Sequence, residues 1–273
     1  MVDYNYIKQT LFSKFSCHQL DCYENFDRYF YIDDQGYING IAENAADFTI
    51  QAKTKLHQGL GLKFRNFRGS FYISNSGLSN LEGCPQIIQG NFYCSGNPLE
   101  SLNGAPKIVT DRCTMINSNL KTSIGLPQQC QSYYISNNEI HSLEGILSDK
   151  KSLLIAAAKN KITTLQGCPA TTEILDISEN PIQTLKGISE QIMHLIISMP
   201  CPLLSLYDTQ IKDFKTSDNT NFGLEFFPEM GEKYKADETL IRDTLQKYKN
   251  APLPKMALLI ALKRIGLGKY GKE

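Results

Sequence analysis

The sequence has no excess of either charge, no long apolar run and no basic start. Lysine plus arginine and aspartate plus glutamate number 28 each among 273 residues, so no overall bias favours nucleic acid or an anionic membrane as partner. The longest apolar run, residues 256–262, is far shorter than the roughly 20 residues that cross a bilayer. Residues 1–4 do not begin a secretory signal. We therefore expect a soluble, cytoplasmic protein.

Motifs for catalysis, metals and cofactors are missing as well. There is no nucleophile elbow, no grouped Ser/His/Asp set and no carboxylate pair in a defined context. Cys17, His18 and Cys22 lack the second ligand pair of a zinc site. The other histidines are isolated: His57, His141 and His194. We predict no enzymatic activity, no cofactor and no metal; an enzyme with its site in residues 208–273 is the alternative.

A glycine pattern near the C-terminal end is no dinucleotide site. Residues 266–271 match G-x-G-x-x-G, but they follow a predicted helix and precede the end of the sequence. A dinucleotide site needs a strand before this pattern and a helix after it.

Cysteine is abundant, but a disulfide framework is not required. A chain of this length can build a core without that restraint, so we expect reduced thiols with a packing role. The eight cysteines are Cys17, Cys22, Cys84, Cys94, Cys113, Cys130, Cys168 and Cys201.

What the sequence does have is an internal repeat. Residues 71–85 align with residues 92–106 at a shift of 21 residues. One polar or small position recurs as a structural ladder: Ser76, Asn97, Ser118, Asn138, Asn160, Asn180 and Cys201. Two residues later the chain is aliphatic: Leu78, Leu99, Leu120, Ile140, Ile162, Ile182 and Leu203. Five residues further on it has glycine: Gly83, Gly104, Gly125, Gly145, Gly167 and Gly187.

Alternating residues before each ladder position predict a half-buried strand. The expected inward pairs are Phe71/Ile73, Phe92/Cys94, Cys113/Met115, Tyr133/Ile135, Ile155/Ala157 and Leu175/Ile177. The inward pairs and the ladder together give the pattern L-x-L-x-x-N/C-x-L, which resembles the leucine-rich repeat. In that family the Asn or Cys side chain satisfies backbone groups where the chain leaves a parallel sheet. The Leu-Glu-Gly-Cys-Pro form at 81–85 resembles short-repeat proteins of tailed bacteriophages, which would make this a viral protein.

The resemblance implies an α/β repeat fold, a leucine-rich-repeat solenoid with a curved parallel β-sheet. Because about 21 residues leave little room for a helix, we expect a mostly irregular or 3₁₀ convex side. Pro200 and Pro202 remove backbone donors, so the sheet is expected to fray or end near residues 198–203.

Both ends of a solenoid need covers. We expect an N-terminal α+β cap over residues 1–69, about seven repeats of 20–22 residues over 70–206, and a C-terminal helical cap over 207–273. The first cap should hold one or two helices within 4–29, a hairpin over 29–40 with its turn at 33–36, and an edge strand at 48–52. The second should hold a helix capped by Asp237 and another from Pro254 to Ile265.

Strand residues between the inward pairs are expected to face the concave side. One row is Tyr72, Tyr93, Thr114, Tyr134, Ala156 and Asp176, and the next is Ser74, Ser95, Ile116, Ser136, Ala158 and Ser178. Strands about 4.8 Å apart would join them into a strip of tyrosine and small hydroxyl side chains. Tyrosine is enriched at binding surfaces, although it also favours strands and cross-strand pairs. We predict that the strip binds a protein, with Ile116, Ala156 and Ala158 outside the contacting set.

The function predicted from these features is a non-enzymatic protein–protein interaction module. If the chain is phage-encoded, its partner would be a host factor or another virion protein. The alternative is a structural virion component held by its ends. Nucleic acid is the weaker interpretation of a basic C-terminal segment that a solvated helical face also explains. Its cations are Lys247, Lys249, Lys255, Lys263, Arg264, Lys269 and Lys272.

Overall fold

The computed structural model describes residues 2–17, 21–41, 49–146, 152–189, 191–197 and 223–226, and seven single residues between 240 and 264. The chain forms two compact units, residues 1–138 and 139–273. Together they contain about seven turns of a parallel β-solenoid with few helices. The predicted repeat solenoid is thereby confirmed. Within the described ranges, no helix has both the length and the apolar character needed to cross a bilayer.

The first unit alternates between two sheets. One sheet contains, in hydrogen-bonded order, β1 (Phe15–Cys17), β4 (Thr49–Ala52), β6 (Ser70–Tyr72), β8 (Phe92–Tyr93), β10 (Arg112–Thr114) and β11 (Ser132–Tyr134). The other contains β2 (Phe30–Ile32), β3 (Ile38–Gly40), β5 (Phe64–Arg68), β7 (Ile87–Gln89) and β9 (Ile108–Val109). All neighbours are parallel except the antiparallel pairs β1–β4 and β2–β3.

The second sheet corrects the expectation of an irregular or 3₁₀ side. Strands β5, β7 and β9 pair in register on that side, through Phe67↔Ile88 and Ile88↔Val109. Ile88 and Val109 are fully buried, so these β-branched residues contribute to the core. Each apolar run spans only two residues after a Gly-x-Pro turn, which is too short for the alternation to be recognised in the sequence.

The second unit has one parallel sheet in the described ranges. Its strands are β12 (Ser152–Ala156), β13 (Thr171–Asp176), β14 (Gln191–Ile197) and β15 (Gly223–Phe226). The expectation that the sheet ends near residues 198–203 is wrong, because β15 pairs with β14 through Leu195↔Leu224. Pro200 and Pro202 themselves lie outside the described residues. Cys201 and Leu203 lie outside the described residues.

The N-terminal segment contains two helices, α1 (Tyr4–Lys14) and α2 (Phe26–Tyr29). Asp3 caps α1 by accepting a hydrogen bond from the backbone of Tyr6 at 2.9 Å. Strands β2 and β3 form a hairpin whose turn is closed by a bond of 2.9 Å from Gly36 N to the Asp33 carbonyl.

Strand β4 is not the expected edge strand, because β1 pairs along its free side. The sequence predicted one or two helices within residues 4–29 and did not predict strand β1. It is extended because Phe15 is anchored in the core, with its ring centroid 5.8 Å from that of Phe64. Phe48 lies outside the described residues.

The inward-facing pairs form the core as predicted, none of them more than 3% exposed. In the first unit the core begins with phenylalanines in mutual contact. The Phe71 ring centroid lies 5.1 Å from that of Phe64 and 6.5 Å from that of Phe92. In the second unit the equivalent positions are aliphatic, with Ile155, Leu175 and Leu195 fully buried. The alternate side chains of these strands therefore face away from the core.

The ladder side chains bridge successive turns. The amide oxygen of Asn97 accepts hydrogen bonds from the backbone N–H groups of Ser76 and Leu78, at 3.0 and 3.2 Å. Its amide nitrogen donates to the carbonyls of Ile73 and Cys94, at 2.9 and 2.8 Å. One buried side chain thus satisfies four backbone groups, three of them in the preceding turn.

The other described asparagines bond in related ways. Asn138 accepts from Ser118 N and Leu120 N and donates to the carbonyls of Met115 and Ile135. In the second unit, Asn160 accepts from Ile140 N at 3.0 Å, and Asn180 accepts from Ile162 N at 3.0 Å.

A serine replaces only part of this network. The Ser118 hydroxyl reaches the carbonyls of Cys94 and Ile116, each at 3.2 Å. The backbone N–H of Leu99 turns to the carbonyl of Asn97 at 2.9 Å. A hydroxyl has one proton and a shorter reach, so it satisfies fewer groups than an amide.

Left-handed backbone recurs at two positions in each turn. The residue before the ladder has positive φ: Asn75, Gly96, Asn117, Asn137, Lys159 and Glu179. The repeat glycines also have positive φ: Gly83, Gly104, Gly125, Gly145, Gly167 and Gly187. At Gly104 a Cβ atom would also lie 2.5 Å from the carbonyl oxygen of Leu81 in the preceding turn. Glycine is required there both by conformation and by the close approach of two turns.

Few residues of the expected C-terminal cap are described. Leu240, Asp243, Thr244 and Lys247 are helical, and the Thr244 hydroxyl donates to the Leu240 carbonyl at 2.6 Å. Ala261, Leu262 and Arg264 are helical as well. The predicted caps at Asp237 and Pro254 lie outside the described residues.

Asn97→Ala is expected to lower the free energy of unfolding by about 3 kcal/mol, because four backbone groups lose their partner. Asn97→Ser should lower it about half as much, since serine occupies the same position at 76 and 118. Urea denaturation measures both. Asn103→Ala, at an exposed asparagine, is the control, and equal losses at 97 and 103 would contradict the role of the ladder.

Gly104→Ala is expected to cost about 3 kcal/mol or more of unfolding free energy, since a left-handed φ and a backbone clash combine. Gly77→Ala is the matched control. It has a φ of +70° but its Cβ would meet nothing closer than 3.5 Å, so only about 1 kcal/mol should be lost. Thermal and urea unfolding compare the two, and similar losses would show that the clash is relieved by small shifts.

Candidate binding face

In the first unit, outward side chains of four neighbouring parallel strands form a row. Tyr72, Tyr93, Thr114 and Tyr134 occupy equivalent register positions on β6, β8, β10 and β11. All four are partly exposed. The rings of Tyr72 and Tyr93 pack against each other in a tilted arrangement, with centroids 5.0 Å apart and planes inclined by 36°. We call these four residues the tyrosine row.

A second row, two residues further along each strand, helps to hold the turns together. Ser74 accepts a hydrogen bond from Ser95 N at 3.1 Å, and Ser95 accepts one from Ile116 N at 3.0 Å. Ser136 occupies the same position in the next turn and is partly buried. The predicted contact serines Ser74 and Ser95 therefore contribute to the scaffold as well as to the surface.

A third row precedes the tyrosines by two residues, and sequence reasoning missed it. It consists of Ser70, Asn91, Arg112 and Ser132. The Asn91 side chain donates to the Ser70 hydroxyl at 3.2 Å. The same two-residue alternation that revealed the tyrosines could have found this row, because it faces the same side of the sheet. The three rows together are the binding face.

The binding face carries a single charge. Arg112 is exposed, and its guanidinium carbon lies 5.0 Å from the centroid of the Tyr134 ring, a cation–π geometry. The other eleven side chains of the three rows are tyrosine, serine, threonine, asparagine and isoleucine. No carboxylate of the described chain pairs with Arg112.

Thr114 has an unsatisfied hydroxyl. Its Oγ1 atom is buried and, among the described side chains, is the one buried nitrogen or oxygen without a hydrogen-bond partner. Such an atom costs about 1–3 kcal/mol relative to one that is paired. The side chain as a whole is partly exposed between Tyr93 and Tyr134.

The remaining predicted contact residues, Asp176 and Ser178, belong to the second unit. Asp176 is partly exposed, but its carboxylate accepts hydrogen bonds from the backbone and the hydroxyl of Ser178, at 3.0 and 2.7 Å. Ser178 is fully buried, which corrects its assignment to an accessible surface. The equivalent of Tyr134 in this unit is Ala156, so the aromatic character is limited to the first unit.

Five of the described cysteines lack the environment of reactive thiols. Burial raises the pKa of the Cys94 and Cys130 thiols to about 12, so both are protonated at neutral pH. Burial likewise raises the pKa of the Cys84, Cys113 and Cys168 thiols. Within the described ranges no three His, Cys, Asp or Glu side chains are grouped as metal ligands. His18 and Cys201 lie outside those ranges.

No protein-family model, curated protein or solved structure matches the chain. The functional argument therefore depends on the residues of the binding face alone.

Thr114→Val is expected to raise the free energy of unfolding by about 1 kcal/mol, because valine keeps the shape of the side chain and removes the unpaired hydroxyl. Thr122→Val is the control. Its hydroxyl accepts a hydrogen bond from Ile124 N at 3.0 Å, so this change should be neutral or destabilising. Urea denaturation of both variants tests the assignment, and a destabilised Thr114→Val would mean that the hydroxyl has a partner.

Proposed function

We propose that the chain is a non-enzymatic protein-binding module whose partner docks on the binding face of the first unit. The observation that carries the proposal is the tyrosine row, with Tyr72 and Tyr93 packed at 5.0 Å on adjacent strands. Packed, partly exposed tyrosines with serine and asparagine around them are the composition of antibody paratopes. There tyrosine supplies contact area and small polar residues supply hydrogen bonds.

The rigidity of the support strengthens the proposal. Ser74 and Ser95 bond to the following turn, and Asn97 bonds to the preceding one. Side chains on a fixed backbone lose less conformational entropy on binding than side chains on a loop. Rings at the centre of such a face are the positions where hot spots occur.

The finer identity of the fold belongs to the same proposal. The 21-residue spacing, the parallel strands and the asparagine ladder support a solenoid of the leucine-rich-repeat kind, with the N-terminal segment and the residues after β15 as its caps. If the chain is phage-encoded and acts in the host cytoplasm, the partner is a host factor or another virion protein. A repeat scaffold does not by itself select the partner, so the face has to be tested directly.

The double variant Tyr93→Ala/Tyr134→Ala is expected to weaken partner binding by about 30-fold or more, because central aromatic residues dominate interface energetics. The partner is first identified by quantitative affinity purification from the source cell with the full chain as bait. It is then purified, and its affinity is measured by titration calorimetry.

The matched control is Tyr23→Ala/Tyr31→Ala, which removes two exposed tyrosines outside the binding face and should leave the affinity unchanged. Circular dichroism and thermal unfolding must show that both double variants are folded. Equal partner affinity of the two double variants would contradict the proposal.

A further inference from the structure

The binding face has a notch. Along the tyrosine row the residues are large at Tyr72 and Tyr93, small at Thr114 and large again at Tyr134. Strands β8 and β11 are two strand spacings apart, about 9.6 Å, with only threonine between their tyrosines. A backbone spacing of this size is wide enough for one side chain of a partner above Thr114. The notch is defined by Tyr93, Thr114, Tyr134 and Arg112.

Two polar groups of the notch have no hydrogen-bond or ion-pair partner among the described residues. The Arg112 guanidinium forms no ion pair with the described chain and packs on the Tyr134 ring at 5.0 Å. The Thr114 hydroxyl forms no hydrogen bond. The buried Thr114 hydroxyl would have to turn outward about χ1 to meet a ligand, and this rotation breaks no hydrogen bond.

We infer that the partner inserts an acidic side chain, aspartate or glutamate, into the notch, where its carboxylate pairs with Arg112 and accepts a hydrogen bond from the Thr114 hydroxyl. This inference rests on the proposed function. It adds the chemical character of the partner at one place on the face.

Other side chains fit the notch less well. A lysine or arginine would bring a second cation against Arg112, which is unfavourable. An apolar side chain would cover the guanidinium and leave both polar groups without a partner, at the cost of their desolvation. A carboxylate can accept two parallel hydrogen bonds from the planar guanidinium of arginine and a third hydrogen bond from a hydroxyl.

Displayed peptides of random sequence test the inference without the natural partner. A yeast-displayed library is selected against the full chain, and the selected peptides are sequenced. They are expected to be enriched in aspartate and glutamate over the unselected library. Individual peptides should bind Arg112→Gln about 10-fold or more weakly, because a charge-assisted hydrogen-bonded pair is lost. Thr114→Val should weaken them about threefold to tenfold.

The matched control is Arg68→Gln, which removes an exposed arginine from β5 in the other sheet of the same unit and should leave the peptide affinity unchanged. A mutant cycle identifies the contact. Replacing the peptide's acidic residue by its amide should weaken binding to the native chain but add no further loss on Arg112→Gln. Thermal unfolding shows that each variant is folded.

The outcomes separate the two claims. Peptides that require Tyr93 and Tyr134 but show no acidic enrichment and bind Arg112→Gln normally would overturn the inference and leave the proposed function standing. Binding by selected peptides that is unchanged in Tyr93→Ala/Tyr134→Ala would overturn the proposed function and the inference with it.

Discussion

A side-chain amide that hydrogen-bonds to two successive turns is the interaction on which the rest of this structure depends. Where the chain leaves a strand, its backbone N–H and carbonyl groups no longer meet those of the next strand, yet they are buried. Asn97 satisfies four of them at once, with distances between 2.8 and 3.2 Å. Because three of these groups belong to the preceding turn, the same side chain sets the spacing and the rotation between turns. Short strands of two or three residues can then form a regular sheet.

The binding face follows from that regularity. Strands in strict register place Tyr72, Tyr93, Thr114 and Tyr134 side by side, and the serines beyond them bond to the following turn. Because the strands are held together by these hydrogen bonds, the side chains of the face are preorganised. Preorganisation lowers the entropy cost of binding a partner. The unsatisfied hydroxyl of Thr114 lies in the middle of this otherwise well-bonded sheet. Orphaned polar groups in a native protein commonly have a functional reason.

Sequence reasoning recovered the features that repeat. The period of 21 residues, the inward pairs and the ladder all follow from residue types at fixed spacing. It failed where a signal was short or unrepeated. The short strands β7 and β9 of the second sheet, of three and two residues, lie among turn residues, and β1 continues directly from α1. The row of Arg112 shares the face with the tyrosines, but its members have no residue type in common, so only the two-residue alternation marks it.

By itself, then, the sequence determined the solenoid, because a repeated pattern of buried and hydrogen-bonded positions has one economical solution, the stacking of equivalent turns. Only the tertiary structure decided which strands pair beyond the repeats, as at β1 with β4 and at β15 with β14, because pairing depends on residues far apart in the chain. It also decided that Ser178 is buried and Arg112 is exposed. Burial and missing partners arise from the packing of neighbouring turns, which no single repeat encodes.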